Sequence, residues 1–231
     1  MASRFAVHIV CSDQPRNGKS LLARVLSDFL LLDGRDPFLI DISHPEGTLR
    51  NYFPGRTVLV DFSNIRGQMK AFDTIMQAPG RDYVIDVSSP YLDRFCEAAK
   101  NLNLSEAFRE VDLAMAVFFV VDAAPDSLKA AAWAEKMLKA DIFVPVRNTA
   151  VGSALPARFD GMTLNMPRLD PELHAIIENR RFSLRTFLQG DEADVPVRLR
   201  PRLQDFLQSV MTELRAVAPA LSLVRLRSGA A

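Results

Sequence analysis

Cysteine is scarce in this chain: Cys11 and Cys96 are the only two in 231 residues, far apart and without metal-type spacing. Both read as reduced thiols of a cytosolic protein, with Cys11 packed at the end of a buried strand. An excess of charge is missing too, since 28 Lys and Arg balance 28 Asp and Glu. The overall field therefore gives no strong attraction to nucleic acid or to an acidic membrane. No apolar stretch approaches the roughly 20 residues that span a bilayer, and the first residues lack the charged region and long apolar run of a signal peptide. A cytoplasmic location is expected. Repeats, heptads and low-complexity tracts are absent, which removes solenoids and coiled coils. Two further absences are the aromatic interleaving of a single-strand-binding groove and a terminal helix with the lysine-rich polar face of a membrane anchor.

What the chain does contain is an alternation of apolar runs and helical periodicities. Strand candidates fall at 5–11, 37–42, 57–62, 82–87, 115–121 and 142–147, with helices near 19–33, 66–78, 90–101 and 126–139. Strands apolar along their length and separated by helices predict a mostly parallel sheet covered on both faces. The fold class is α/β, a three-layer sandwich, in one domain with a helical C-terminal extension. Residues 1–150 form the core, and residues 151–231 supply a final strand near 162–166 and helices packed on the same domain. Asp170 and Pro171 predict a helix start. Residues 189–202, with Gly190, Pro196 and Pro201, read as a loop, and Leu203, Phe206, Leu207, Val210, Met211 and Leu214 form one apolar helical stripe. A loosely held tail is expected after residue 219.

The most specific motif is FAVHIVCSDQPRNGKSLLARVL, residues 5–26, an apolar strand running through Gly18-Lys19-Ser20 into an amphipathic helix. A helix N-terminus beyond a strand end offers free N–H groups and a positive dipole to an anion. In such a P-loop Lys19 meets the β and γ phosphates of a nucleoside triphosphate, and the Ser20 hydroxyl ligates its Mg²⁺. The usual first glycine is replaced by Asp13, a carboxylate where anions are to be attracted. Two more acids leave apolar strands at the same sheet edge, Asp41 in PFLIDISHPEG and Asp86 in DYVIDVSSP. Carboxylates beside a phosphate loop suit Mg²⁺, generally through its water shell. Asp61 in TVLVDFSN is a third, whose place depends on strand order. Asp86 is preferred because a turn, SSP, follows it directly. Asn148, at the end of the sixth strand, is able to hydrogen-bond an adenine edge or to serve as a turn residue.

As an ordered set, CSDQPRNGKS, LIDISHPEG, YVIDVSSP, VFFVVDAAPDSL and VPVRN resemble the ParA/MinD group of P-loop ATPases over roughly residues 4–150. The resemblance implies ATP and Mg²⁺ as cofactors, a homodimer, slow hydrolysis and control of an unidentified protein partner. It implies a nucleotide site built from Asp13, Gln14, Pro15, Arg16, Asn17, Gly18, Lys19, Ser20 and Leu21 with Asn148 at the adenine. Ser20, Asp41 and Asp86 are implied for the metal, and Lys19, Asp41 and Arg16 for catalysis. There are departures. Gln14 stands where the family carries a lysine that crosses the dimer, with Arg16 as the candidate replacement, and Ser43 stands where a second switch acid positions water. His44, inserted before Pro45, is a candidate to orient that water. Losing both devices would preserve binding while hydrolysis becomes negligible. The alternatives are a degenerate P-loop scaffold without turnover and a phosphotransferase needing substrate residues near Arg66 or Arg94. Arg180, Arg181, Arg185, Arg198, Arg200 and Arg202, interrupted by Asp191, Glu192 and Asp194, form either a partner surface or a solvated face.

Overall fold

The computed structural model of the chain describes residues 5–43, 45, 47–122, 124–152, 162–180, 183–190 and 195–227, the last seven and 179–180 by backbone alone. The elements run β1 (Phe5–Cys11), α1 (Lys19–Leu32), β2 (Phe38–Ile42), α2 (Thr48–Tyr52), β3 (Thr57–Leu59), α3 (Ile65–Met76), β4 (Tyr83–Val87), α4 (Leu92–Asn101), α5 (Leu104–Glu110) and β5 (Leu113–Val121). After these come α6 (Pro125–Leu138), β6 (Ile142–Asn148), β7 (Leu164–Met166), α7 (Pro171–Arg180), α8 (Leu184–Leu188) and α9 (Arg200–Arg227).

The seven strands form one sheet in the order β3-β2-β4-β1-β5-β6-β7, every pairing parallel. β5 is buried at all nine positions, as a strand covered on both faces must be. One apolar core joins the sheet to α1, α2, α7, α8 and α9; its residues include Val10, Leu26, Val84, Phe118 and Leu207. The opposite core, with Ile9, Ile85, Phe95, Phe119 and half-buried Trp133, lies beneath α3, α4, α5 and α6. The sheet thus lies between two helical layers. β1 sits between β4 and β5, so the connection after β1 opens at the switch point of the strand order, where ligands of open parallel sheets bind.

The structure departs from the sequence expectations in four places. The third strand ends at Leu59, and Asp61 turns the chain by accepting from Ser63 N (3.0 Å) and Asn64 Nδ2 (2.8 Å). Its strand is three places from β1, with β2 and β4 between, which removes Asp61 from the phosphate loop. The segment 189–202 is not all loop: a 3-10 turn at Val197–Leu199 leads into α9, with Pro201 tolerated in the first helical turn. The expected tail is helical, because α9 passes Pro219 and continues to Arg227 while Leu214 and Val217 stay buried against the sheet side. Finally α2, α5 and α8, of five, seven and five residues, are too short to show a period in sequence. His44, Arg181, Asp191, Glu192 and Asp194 lie outside the described residues.

Candidate phosphate-binding site

The loop between β1 and α1 is shaped by two left-handed positions, Arg16 (φ 57°) and Gly18 (φ 92°). Glycine is demanded at 18 twice over, by the backbone angle and by space: a Cβ there would lie 2.6 Å from Met166 Cε and 2.7 Å from Asn148 Nδ2. Arg16 has no such exemption, and an L-residue in this conformation costs about 1–2 kcal/mol. Pro15 and Arg16 form the exposed crest, while Asn17 is buried beneath them. Asn17 Nδ2 donates to Ser12 Oγ and to Val120 O (3.3 Å), and Asn148 Nδ2 donates to Asn17 O (2.8 Å). Asn148 Oδ1 accepts from Ala150 N at 2.9 Å, so the side chain expected at an adenine edge here braces the loop from β6.

At its start α1 has no side-chain cap, Gly18 having no side chain to supply one. Its first N–H groups are the kind that an anion satisfies. Lys19 Nζ donates to Gln14 O (2.8 Å) and Asn17 Oδ1 (3.4 Å), folding the ammonium under its own loop. Burial pulls its pKa below the ordinary value, with Asp86, Cys11 and Asp13 acting in the other direction. Ser20 follows on the same turn, half-buried, and Leu21 packs against the core between the sheet and α1, α2, α7, α8 and α9.

Asp41 and Asp86 are direct partners in the β2–β4 register, and Asp86 is level with Val10 one residue before β1 ends. Both are buried, at 0 % and 1 % exposure, but they are used differently. Asp41 is committed within the chain, Oδ1 accepting from Ser43 Oγ and Oδ2 from Leu49 N (2.8 Å) at the start of α2. Burial raises its pKa, and those hydrogen bonds oppose the rise. Neither oxygen of Asp86 has a hydrogen-bond partner among the described residues. Burial pushes its carboxyl up to about 7; the nearby Ser20 hydroxyl and Lys19 hold it down, and the charge of Asp41 pushes it further up. A buried, unpaired carboxylate next to a second acid and a phosphate-loop serine has the chemistry of a hard-cation site. The residues present therefore fit Mg²⁺ held with phosphate oxygens and water. Among the described residues no group of three or more His, Cys, Asp or Glu could bind a metal by itself.

Three neighbours of the loop have no signal in the sequence. Ser127, at the start of α6, donates to Asp13 Oδ1 at 2.8 Å across 114 positions. Met166, on β7, closes over Gly18. The third is Arg24, two turns along α1 from Gly18, which lies 3.6 Å from the ring centre of Tyr52 and donates to Ile177 O (3.4 Å), joining α1, α2 and α7. The thiols belong to the core: burial pushes Cys96 up to about 12 and raises Cys11 well above its ordinary value. Of the arginines near the C-terminus, Arg198 pairs with Glu172, Arg202 with Asp170 (3.0 Å), and Arg200 donates to Val195 O (2.9 Å). Arg94 donates to Ser63 O (3.0 Å), beside α3. Among the described residues no helix is long and apolar enough to cross a membrane.

A parallel sheet with a phosphate loop after its central strand and an acid at the end of the adjoining strand defines the chain as an α/β protein of P-loop fold. Within that class its fold is that of MinD. It superimposes on MinD of the MinC:MinD cell division protein complex from Aquifex aeolicus with a TM-score of 0.58 and 14% identity, covering 93% of this chain and 96% of that one. The MinD cell division protein of the same organism, in another structure, gives a TM-score of 0.56 at 14% identity over 93% and 97%. No protein-family model matches the chain, and no curated protein matches it by sequence.

Proposed function

We propose that this protein is a cytoplasmic ATP-binding switch of the ParA/MinD-like type, binding ATP with Mg²⁺, hydrolysing it slowly and dimerising in its nucleotide-bound state to control an unidentified protein partner. The observation that carries this reading is Asp86, buried and unpartnered beside Ser20 and Lys19 at the end of the strand next to the loop. A buried carboxylate left unpaired is costly, and a cation between it and phosphate would remove the cost.

In this reading the N–H groups of α1 and the crest of the loop receive the phosphates. Lys19 exchanges Gln14 O and Asn17 Oδ1 for phosphate oxygens, and its buried position keeps the charge poorly screened. Bound Mg²⁺ would neutralise charge developing on the transferring phosphoryl group; Ser20 and Asp86 would hold it, with Asp41 adjoining through water. Asn148 keeps the loop in shape from the side of the base. Gln14 is neutral where a crossing cation would stand, and Ser43 has no acid function, so water is poorly activated and turnover is slow. Arg16, exposed on the crest, would be the residue to reach a facing protomer, where guanidinium pairs with phosphate bidentately.

The scaffold alternative has its own support: Lys19 and Asn148 both have hydrogen-bond partners inside the loop. Sedimentation velocity and phosphate release, each in Mg²⁺ with ATP and then with ADP, test the switch. The expected result is a dimer in ATP, a monomer in ADP and turnover well below 1 s⁻¹, the low end of ordinary enzymes. A monomer under saturating ATP contradicts the dimer switch, and rapid turnover contradicts the roles given to Gln14 and Ser43.

A further inference from the structure

Asp13 occupies the first position of the phosphate loop, where a carboxylate opposes the anion the loop is built to take. Both oxygens of its side chain are hydrogen-bonded within the chain. Oδ1 accepts from Ser127 Oγ at 2.8 Å and, more weakly, from Ser12 Oγ at 3.4 Å, while Oδ2 accepts from Gln14 Nε2 at 2.8 Å. Ser127 is fully buried and held in place, since its oxygen also lies 3.4 Å from Asp122 N, which donates to it. It belongs to the first turn of α6, a helix of 14 residues whose N-terminal dipole favours a negative charge. One carboxylate oxygen is thus tied to the start of α6 and the other to Gln14 of the loop, and these hydrogen bonds with the helix end offset its charge.

We propose that Ser127 is a positioning residue for the nucleotide site, holding the Asp13 carboxylate off the phosphate path so that a loop with an acid in place of its first glycine still accepts a polyphosphate. The inference rests on the nucleotide-binding reading above. Without the Ser127 hydroxyl the carboxylate loses its anchor on α6, and the rotamers that open to it bring a like charge to the phosphates.

Isothermal titration with ATP and Mg²⁺ tests this in the full chain. Ser127→Ala weakens binding by about tenfold, the equivalent of one poorly screened like-charge contact. The loss shrinks as salt is raised from 0.05 to 0.5 M, as about a threefold shorter screening length requires. Ser127→Ala combined with Asp13→Asn recovers most of the loss, because the charge that causes it is gone. Ser127→Cys keeps the volume with a weak donor and covers a Ser127→Ala chain that does not fold; its loss is intermediate. A Ser127 variant that binds like the wild type overturns the proposal while leaving nucleotide binding standing. So does a loss that salt and Asp13→Asn do not relieve, which would make Ser127 merely structural. A wild-type chain that takes no nucleotide overturns both readings.

Discussion

Arg16 holds a left-handed backbone angle, φ 57°, that glycine would adopt without strain. Arg16→Gly is therefore expected to raise the unfolding free energy by up to about 1 kcal/mol, the strain relieved exceeding the added freedom of the unfolded chain. Urea unfolding measures this, and a fall in stability would mean that the side chain makes contacts worth more than its strain. Asp28 provides a second residue-scale test. Burial lifts its carboxyl to about 6, against the opposing charge of Arg24 and the hydrogen bond from Ser183. From pH 4 to pH 6 the folded chain keeps a proton that the unfolded chain has lost, so this group makes stability fall as pH rises through that window and become level above it. Asp28→Asn should remove that slope and stabilise the protein at pH 8 by about 1–3 kcal/mol, read from denaturant unfolding across the pH range. These features were illegible in sequence, because φ angles and burial arise only when the loop and α1 are packed. The loop around Lys19 and Ser20 and the strand ends that carry Asp41 and Asp86 were legible as positions, because a strand-loop-helix motif advertises its spacing and an acid ending an apolar run marks a strand end.

α3 shows how an element can depend on one missing atom. Asn64 caps it, accepting from Gly67 N at 2.9 Å, and the chain before it passes so close that a Cβ on Gly67 would lie 1.8 Å from Asp61 O. Gly67→Ala should destabilise the fold by about 3 kcal/mol or more, since backbone on both sides must move. Gly80→Ala, with nothing within 4 Å and no positive φ, serves as the control and should change stability by less than about 0.5 kcal/mol. Thermal or urea unfolding of the pair separates crowding from the general effect of replacing glycine. The long helices α1, α4, α6 and α9 announce themselves by periodic apolar positions. α2 does not, although it carries Leu49, the residue that occupies Asp41, and Tyr52, the ring beneath Arg24. Its five residues are held by those tertiary contacts rather than by propensity.

Across the whole molecule, β1 between β4 and β5 brings the loop, Asp86 and the start of α6 to one edge of the sheet. Alternating apolar runs were enough to read the parallel three-layer sandwich, because strands buried on both faces leave long hydrophobic stretches. Strand order was not readable, and with it the exclusion of Asp61, since pairing is decided by crossovers that no local pattern encodes. The Ser127 anchor and the Met166 lid over Gly18 were hidden for the same reason, being separated from the loop by more than 100 positions. The central claim is that this edge binds a magnesium nucleotide, and calorimetric titration of the wild-type chain and Lys19→Ala with ATP and Mg²⁺ tests it most directly. Saturable binding that Lys19→Ala weakens by at least about tenfold, or 1.4 kcal/mol, is predicted. No heat and no thermal stabilisation at millimolar nucleotide would contradict the account and leave a phosphate loop retained only as scaffold.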